Sequence, residues 1–517
     1  EWNIGVIGHS AFTTAPLFTA VLEYEGTPVL RMYEYERIRR VTYQMDFWLG
    51  EEDKFLNARM RIKNDTGEVV PMYWWSNIAV PEFEGGRIIV PASKAFTFHD
   101  GGVYKVDIPL VGGKDITRYQ NIPTSVDYFF DLPADAPKYI VNVDRDGFGL
   151  LQMSTDRLRS RKLFSWGKTR GGDHWQEFLT KDAGRYIEIQ AGLGKTQYGC
   201  LPMAPHTAWE WMERYGAVQI RGQEMEKSFE ELRGTVTAEV KAMPQWQEME
   251  QILADTKKMA KTRAEVIRRG SGFGALEARL RDQCGDRRME PHLDFAGSEE
   301  DPGCWAEFLE NGTLKNPDPA EAPEVYVTGR EFYDRLKKYV DENEAAGWYA
   351  YYQLGVLLFQ EGDYEAAKKE FLRSIESQEN AWACHGLASV YTVEGRKKEA
   401  CSAVRIGFCL QREDLSYVKE VFRLLVMNKG FREVEELYQE LDEEMQKEGR
   451  IRFFYIQALA ENGREKEAYR LLRADGGLVI DDIREGETSL GELWRKIRAA
   501  GENGEEELPY EFDFTAL

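Results

Sequence analysis

The amino-acid sequence predicts an antiparallel β-sandwich followed by a stacked array of α-helical repeats, with a helical and irregular connector between them. Three observations carry this prediction. Residues 1–216 alternate apolar and polar side chains with period two between turn signals. From about Gln219 the apolar period becomes helical. A motif containing Gly362 then recurs around Gly395, Gly430 and Gly463, at intervals of 33, 35 and 33 residues. A chain of 517 residues exceeds one ordinary core. The expected divisions are 1–216 for the sheet domain, 217–333 for the connector, 334–500 for the repeats and 501–517 for an acidic tail.

The sheet domain shows its strands in runs such as Thr42–Leu49 (TYQMDFWL) and Phe55–Ile62 (FLNARMRI). Glu25-Gly26, Asn64-Asp65-Thr66-Gly67, Gly85-Gly86, Gly101-Gly102, Gly112-Gly113 and Asp146-Gly147 supply the turns between them. Many strands at this spacing predict a large antiparallel sandwich. Its last strand is expected over Thr207–Tyr215, with Trp209 and Trp211 on one face. Beyond it, amphipathic helices are predicted over Pro244–Arg268 and Gly274–Arg281, and His292 to about Val327 reads as a surface connector. In the repeats, EGDYEAA at Glu361 returns as EGRKKEA at Glu394, NKGFREVEE at Asn428 and ENGREKEA at Glu461. Trp348 and Trp382 open consecutive units, and Leu354, Gly355, Ala367 and Phe371 hold small or apolar packing positions. This period is the signature of tetratricopeptide repeats, two helices per unit stacked into a right-handed solenoid. The later units follow the pattern less closely, so less regular helices are expected there. The acidic tail is expected to be partly disordered, with Tyr510, Phe512 and Phe514 available to dock it.

Composition narrows the partners. The chain carries 89 acidic and 67 basic residues, for a formal charge of −22. That balance argues against nucleic acid or an anionic membrane as the main partner. No apolar run is long enough to span a membrane. Cysteines 200, 284, 304, 384, 401 and 409 show no paired-ligand spacing. They read as reduced, mostly buried thiols of a cytoplasmic protein with no zinc site, and no cofactor is expected. The chain opens at Glu1-Trp2-Asn3 without Met or a signal segment, as a piece beginning inside a domain would.

Chemistry is sought where polar groups sit among aromatics. The stretch Arg185–Gly199 (RYIEIQAGLGKTQYG), strand-like at Tyr186, Ile187 and Ile189 and then punctuated by glycines, places one carboxylate, Glu188, in an apolar run. A half-buried carboxylate costs several kcal/mol without a partner. The pattern allows a Glu turned to solvent or paired to a core Arg, and equally a base or nucleophile facing a sugar-sized cleft. Three clusters could complete such a site. One runs from Glu1-Trp2-Asn3 to His9, and the second is Met72–Asn77 with Trp74, Trp75 and Asn77. The third joins Trp166, Arg170, Asp173 and His174 in a glycine-rich loop, with Gln197 following the Glu188 strand. Reaction at an anomeric centre needs two groups of opposite protonation role, flat apolar surface and hydrogen-bonding groups for the ring. Glu188 supplies the base or nucleophile, and His9, Asp173 or His174 the acid. A carboxylate partner, Glu1, Glu82 or Asp173, gives the pattern of a glycosidase. Glu1, Asn3, Trp74, Trp75, Asn77, Trp166, Arg170 and Gln197 are candidate sugar contacts. Trp74 and Trp75, being adjacent on a strand, point to opposite faces, so at most one faces a ligand. The run Gly192-Leu193-Gly194-Lys195-Thr196 imitates the end of a phosphate-binding loop. Ile189 stands where the leading glycine belongs and no helix follows, so nucleotide binding is discarded.

The runs WWSNIAVPE, SWG…W…FL and YIEIQAGLGKTQ, ahead of helical repeats, resemble the bacterial domain-of-unknown-function family 5107. That family is similar in turn to the galactose-mutarotase-like supersandwich of aldose epimerases and several carbohydrate hydrolases and lyases. The resemblance implies a late-strand Glu acting as base, matching Glu188, and an early His touching the sugar, matching His9. The mutarotase motif NHxYFNL would overlie Met72 to Ile78 and keep Asn77, while its acid histidine would fall on Tyr73. That departure argues against simple mutarotase activity. Members of the family carry further strands upstream of Glu1-Trp2-Asn3, so the resemblance implies a sheet domain incomplete at its N-terminus, with exposed edges. The functional expectation is a carbohydrate-active protein, cleaving a glycosidic bond first and epimerising second. The alternative is a non-catalytic sugar-binding module whose solenoid recruits a protein, and a third possibility is a sheet that serves only as scaffold.

Overall fold

The computed structural model describes residues 15–286, 288–297, 303–323, 326–474, 477–484, 487–500 and 507–516. The chain divides into two compact units, Glu1–Asp301 with Ala516–Leu517, and Pro302–Thr515.

The first unit is built on two antiparallel sheets. The larger has nine strands in the spatial order Glu265–Arg268, Phe18–Tyr24, Thr27–Glu36, Val41–Trp48, Phe55–Asn64, Ala208–Gln219, Phe148–Ser154, Lys138–Val143 and Arg87–Ile89. The smaller has six, ordered Trp75–Pro81, Tyr186–Gly192, Ser160–Gly167, Thr124–Asp131, Lys94–His99 and Gly102–Asp107. Their facing sides share the core. Tyr43, Ile62 and Trp211 of the larger sheet meet Ala191 and Met72. Ile88 and Ile140 meet Leu163, Ile187 and Ile189. Burying each such side chain stabilises the unit by about 1.5–3 kcal/mol.

The other side of the larger sheet is charged and covered. Register sets Arg31, Asp46 and Arg59 abreast, and beside them Gln44, Arg61 and Glu210. The chain after Gln219 closes over this side. The helix Phe229–Ala242, opened by a reciprocal Ser228–Glu231 capping box, lays Leu232, Val236 and Val240 on Tyr139, Leu151 and Met212.

Several expectations need correction. The last long strand runs Ala208–Gln219, past Tyr215, because Ala217, Val218 and Gln219 pair with Leu150, Gly149 and Phe148. The helix expected over Pro244–Arg268 breaks into Pro244–Gln247 and Met249–Asp255, then a strand, Glu265–Arg268, at the sheet edge. The reason is tertiary: the carbonyls of Met259 and Thr262 accept from Arg31, and that of Ala260 from Gln44, so buried side chains take carbonyls that a helix would need. The stretch from His292 to Val327 is more than connector, since it holds the helix Gly303–Asn311 with Trp305, Phe308 and Leu309 buried. Three of the six free cysteines, Cys200, Cys284 and Cys409, are exposed rather than buried.

The second unit carries the repeats. Helices Trp348–Gln360, Tyr364–Ser377, Ala381–Val393, Lys397–Gln411, Leu415–Met427, Phe431–Glu440, Gly449–Glu461 and Glu465–Arg473 follow one another with short turns. Phe371 fills the space left by two glycines, since a Cβ at either Gly355 or Gly386 would stand 2.6 Å from its ring. Gly362, Gly395 and Gly463 take positive φ in their turns, whereas Gly430 does not, and Lys429 beside it does at 60°. At the end of the chain Phe512 and Phe514 are buried, with the Phe512 ring 5.8 Å from that of Trp494.

Candidate functional site

The strand Tyr186–Gly192 divides its side chains between two environments. Ile187, Ile189 and Ala191 enter the core between the sheets. Glu188 and Gln190 therefore project from the opposite side of the six-stranded sheet. Register decides their neighbours there. Gln190 lies opposite Asn77 on one flank and Lys162 on the other, while Glu188 lies opposite Ala79 and Phe164. One strand further, Phe129 faces Lys162 and Asp127 faces Phe164. Glu188 and Asp127 thus occupy the same cross-strand row with Phe164 between them, their backbones about 10 Å apart across the strands.

Hydrogen bonds join these groups into one ladder. The Asn77 amide donates to Glu188 Oε2 at 2.8 Å, and the Gln190 amide donates to the same oxygen at 3.0 Å. Gln197 Nε2 donates to Gln190 Oε1 at 3.1 Å, and Lys162 Nζ donates to Gln197 Oε1 at 2.7 Å. Lys162 also pairs with Asp127 Oδ1 at 2.7 Å. Rings surround the ladder. Trp75 and Tyr198 meet Phe129 edge-on, with centroids 5.5 and 5.6 Å away, and Lys162 Nζ lies 5.4 Å from the Phe129 centroid. Gly192 admits Trp75, because a Cβ there would stand 2.4 Å from the indole. Burial, reinforced by Asp127, pushes the Tyr198 phenol up to about 12. Tyr73 is pushed up as well, first by burial and then by Asp127.

The predicted site residues separate into groups. Glu188, Asn77, Trp75 and Gln197 come together on this face. Trp74 turns the other way, 5.7 Å from the Tyr43 ring and 5.8 Å from that of Trp211, in the core between the sheets. Trp166 is buried, stacked on Trp175 at 5.4 Å, and its indole N–H donates to the Tyr186 hydroxyl at 2.9 Å. Arg170, Asp173 and His174 do not lie in a loop but on the helix Arg170–Thr180, whose first turn is capped by the Thr169 side chain at the Gly172 N–H. Asp173 is taken by Arg185, which also pairs with Glu82 at 2.8 Å. Glu1, Asn3 and His9 fall outside the described residues.

The sequence does not single out five members of the ladder and its rings: Asp127, Phe129, Lys162, Gln190 and Tyr198. Gln190 was accessible, since it follows Glu188 by two residues and so shares its face. Asp127 and Phe129 share the strand Thr124–Asp131 and Lys162 lies on Ser160–Gly167, so they join the Glu188 ladder only through register.

A cavity of about 880 Å³ between Asp65, Arg279, Glu290 and Phe295, and one of about 560 Å³ beside Arg157, Arg159 and Trp209, open elsewhere, and neither is lined by Glu188. Among the described residues no three His, Cys, Asp or Glu side chains gather so as to hold a metal ion, and no helix is long and apolar enough to cross a membrane.

Residues 1–206 match the family model described as Domain of unknown function (DUF5107), and residues 349–380 match a tetratricopeptide repeat. Among solved structures, the chain is similar to a TPR-domain containing protein from Parabacteroides distasonis, with 16% identity, a TM-score of 0.64, and coverage of 98% of this chain and 78% of that one. That likeness shows a shared fold. A galactose mutarotase-like protein from Clostridium acetobutylicum matches 40% of this chain and 67% of its own, at 9% identity and a TM-score of 0.29. A galactose mutarotase related enzyme from Lactobacillus acidophilus matches 39% and 72%, at 10% identity and a TM-score of 0.29.

Proposed function

We propose that the outer face of the six-stranded sheet binds a carbohydrate and that Glu188 acts on it as base or nucleophile, cleaving a glycosidic bond or, second, opening the ring at the anomeric carbon. The repeats, on this reading, recruit a protein partner to the same chain. The observation that carries the proposal is the state of Glu188. Both of its donors, Asn77 and Gln190, bind Oε2, and Oε1 has no protein partner among the described residues. A carboxylate oriented through one oxygen and open at the other can accept a sugar hydroxyl or take a proton. The planar amides of Asn77, Gln190 and Gln197 suit vicinal hydroxyls, and Trp75 and Tyr198 offer ring faces. His174, half-buried on the helix Arg170–Thr180, and His9 are the acids proposed to complement Glu188.

A binding-only reading is favoured by one feature: the second carboxylate of the row, Asp127, is already ion-paired with Lys162 at 2.7 Å. The two readings part on substitution. With glycosides and free aldoses as ligands, Glu188→Gln is expected to lower turnover at least about 100-fold. Calorimetric affinity should stay within about tenfold of the unaltered protein, since one hydrogen-bond acceptor is kept. Sugar bound by both proteins with turnover by neither would establish the binding module and remove Glu188 as a catalyst.

A further inference from the structure

The repeats of the second unit hold a segment of their own chain along one edge. After the helix Gly303–Asn311 the backbone runs without helix or strand through Pro317 and Asp318 before turning at Pro319 and Ala320. Leu314 is buried, while Asn316, Asp318, Ala320 and Glu321 are exposed. The contacts that hold it go almost wholly to its backbone. Trp348 Nε1 donates to the Pro317 carbonyl at 3.1 Å, Trp382 Nε1 to the Pro319 carbonyl at 3.0 Å, and Gln411 Nε2 to the Ala320 carbonyl at 2.8 Å. Asn316 adds one side-chain contact, its Oδ1 accepting the Tyr349 N–H at 3.1 Å. That bond caps the helix Trp348–Gln360, whose own cap residue, Gly347, has no side chain to do so.

The geometry is that of a reader and a peptide. Trp348 and Trp382 stand at the first and second positions of helices in consecutive repeats, and Gln411 closes the helix Lys397–Gln411. Three helices of two consecutive repeats therefore present one donor each to one extended chain. Pro317 and Pro319 have no N–H, so a row of donors reading only carbonyls leaves no amide of theirs unpaired, and their fixed φ lowers the cost of ordering the strap. Asp318 makes the turn, accepting the Ala320 N–H on its side chain at 2.9 Å and the Glu321 N–H on its carbonyl at 3.0 Å. Between 316 and 321 no large apolar side chain anchors the segment, and each neutral hydrogen bond contributes only about 0.5–1.5 kcal/mol. Attachment rests chiefly on the tether, which holds the strap at an effective concentration of about millimolar.

We propose that Trp348, Trp382 and Gln411 form a peptide-binding track, that residues 316–321 are its occupant in cis, and that a protein partner carrying an extended Asn-Pro-Asp-Pro-like segment displaces the strap to bind there. This rests on the reading of the repeats as a protein-binding module and is independent of the carbohydrate face.

The test uses the full chain and a labelled peptide of residues 313–323, read by fluorescence anisotropy. Freeing the track with Asn316→Ala, Pro317→Gly and Pro319→Gly together should tighten peptide binding about tenfold, because the competing tethered copy is weakened. Adding Trp382→Phe, which keeps a ring beside Tyr417 and removes the N–H, should weaken it about fivefold. In the unaltered chain, which needs no altered strap to fold, excess unlabelled peptide should speed cleavage after Glu321 by a Glu-specific protease and the effect should saturate. Peptide binding indifferent to Trp382→Phe would overturn the track while leaving the repeats a protein-binding module. Absence of both binding to the folded strap variant and protease sensitisation would overturn the strap as a displaceable ligand.

Discussion

Arg31 and Asp46 show what buried charge requires of single residues. Both are enclosed, and their ion pair is 2.6 Å long. Arg31 further donates to the carbonyls of Thr262 and Met259, and Gln44 donates to Asp46. Removing one partner leaves an uncompensated charge in the covered sheet face, so Asp46→Ala should cost about 3–5 kcal/mol in urea unfolding. Replacing both, Arg31→Met with Asp46→Leu, should cost clearly less than that. Next to this pair His292 contacts Gln44 at 3.0 Å, and burial, aided by Arg31, pushes its imidazole down to about 4. An unfolded His binds its proton near 6.5, so between pH 6.5 and 4 the unfolded chain holds more protons than the folded one. The stability this residue contributes is therefore whole above pH 6.5 and falls by about 3 kcal/mol as the pH drops to 4. His292→Gln should flatten that part of the pH profile of urea midpoints relative to the unaltered chain.

At the scale of elements, the repeat turns show where local conformation and sequence disagree. Positive φ occurs at Gly362, Gly395, Lys429 and Gly463, so the conformational interval is 33, 34 and 34 residues, more even than the spacing of the glycines. The third turn places a side chain where the left-handed backbone crowds Cβ, at a cost of about 1–2 kcal/mol. Lys429→Gly should then stabilise the helical unit by about 1 kcal/mol after the greater freedom of an unfolded glycine is subtracted. A rise in the thermal midpoint of the helical circular dichroism signal checks it. The helix expected over Pro244–Arg268 shows the opposite case. Its pattern was adequate for a helix, but the sheet's buried Arg31 and Gln44 claimed its carbonyls.

For the whole molecule, most of the architecture was legible because it is written in short-range periods. Alternation in Tyr186–Gly192 separates Ile187 and Ile189 from Glu188 without reference to any other strand, and it also separates Trp74 from Trp75. The glycine-centred motifs announce the solenoid in the same way. The candidate site was legible only in part. Residue type and surroundings single out Glu188, Trp75, Asn77 and Gln197, whereas nothing local shows that Trp175 covers Trp166. Nor does local sequence show that Asp173, on the helix Arg170–Thr180, pairs with Arg185 beyond its end. By itself the sequence determined most strands of the sheet domain and the helices of the repeats, which side of each strand is apolar, and that a sheet-rich region precedes helical repeats. Only the tertiary structure decided that Lys162 and Asp127 stand beside Glu188, that Arg31 meets Asp46, and that Pro317 meets Trp348. Periodicity is a property of neighbouring residues, whereas these contacts depend on strand register and helix stacking, which are settled by the summed packing of residues far apart in the chain.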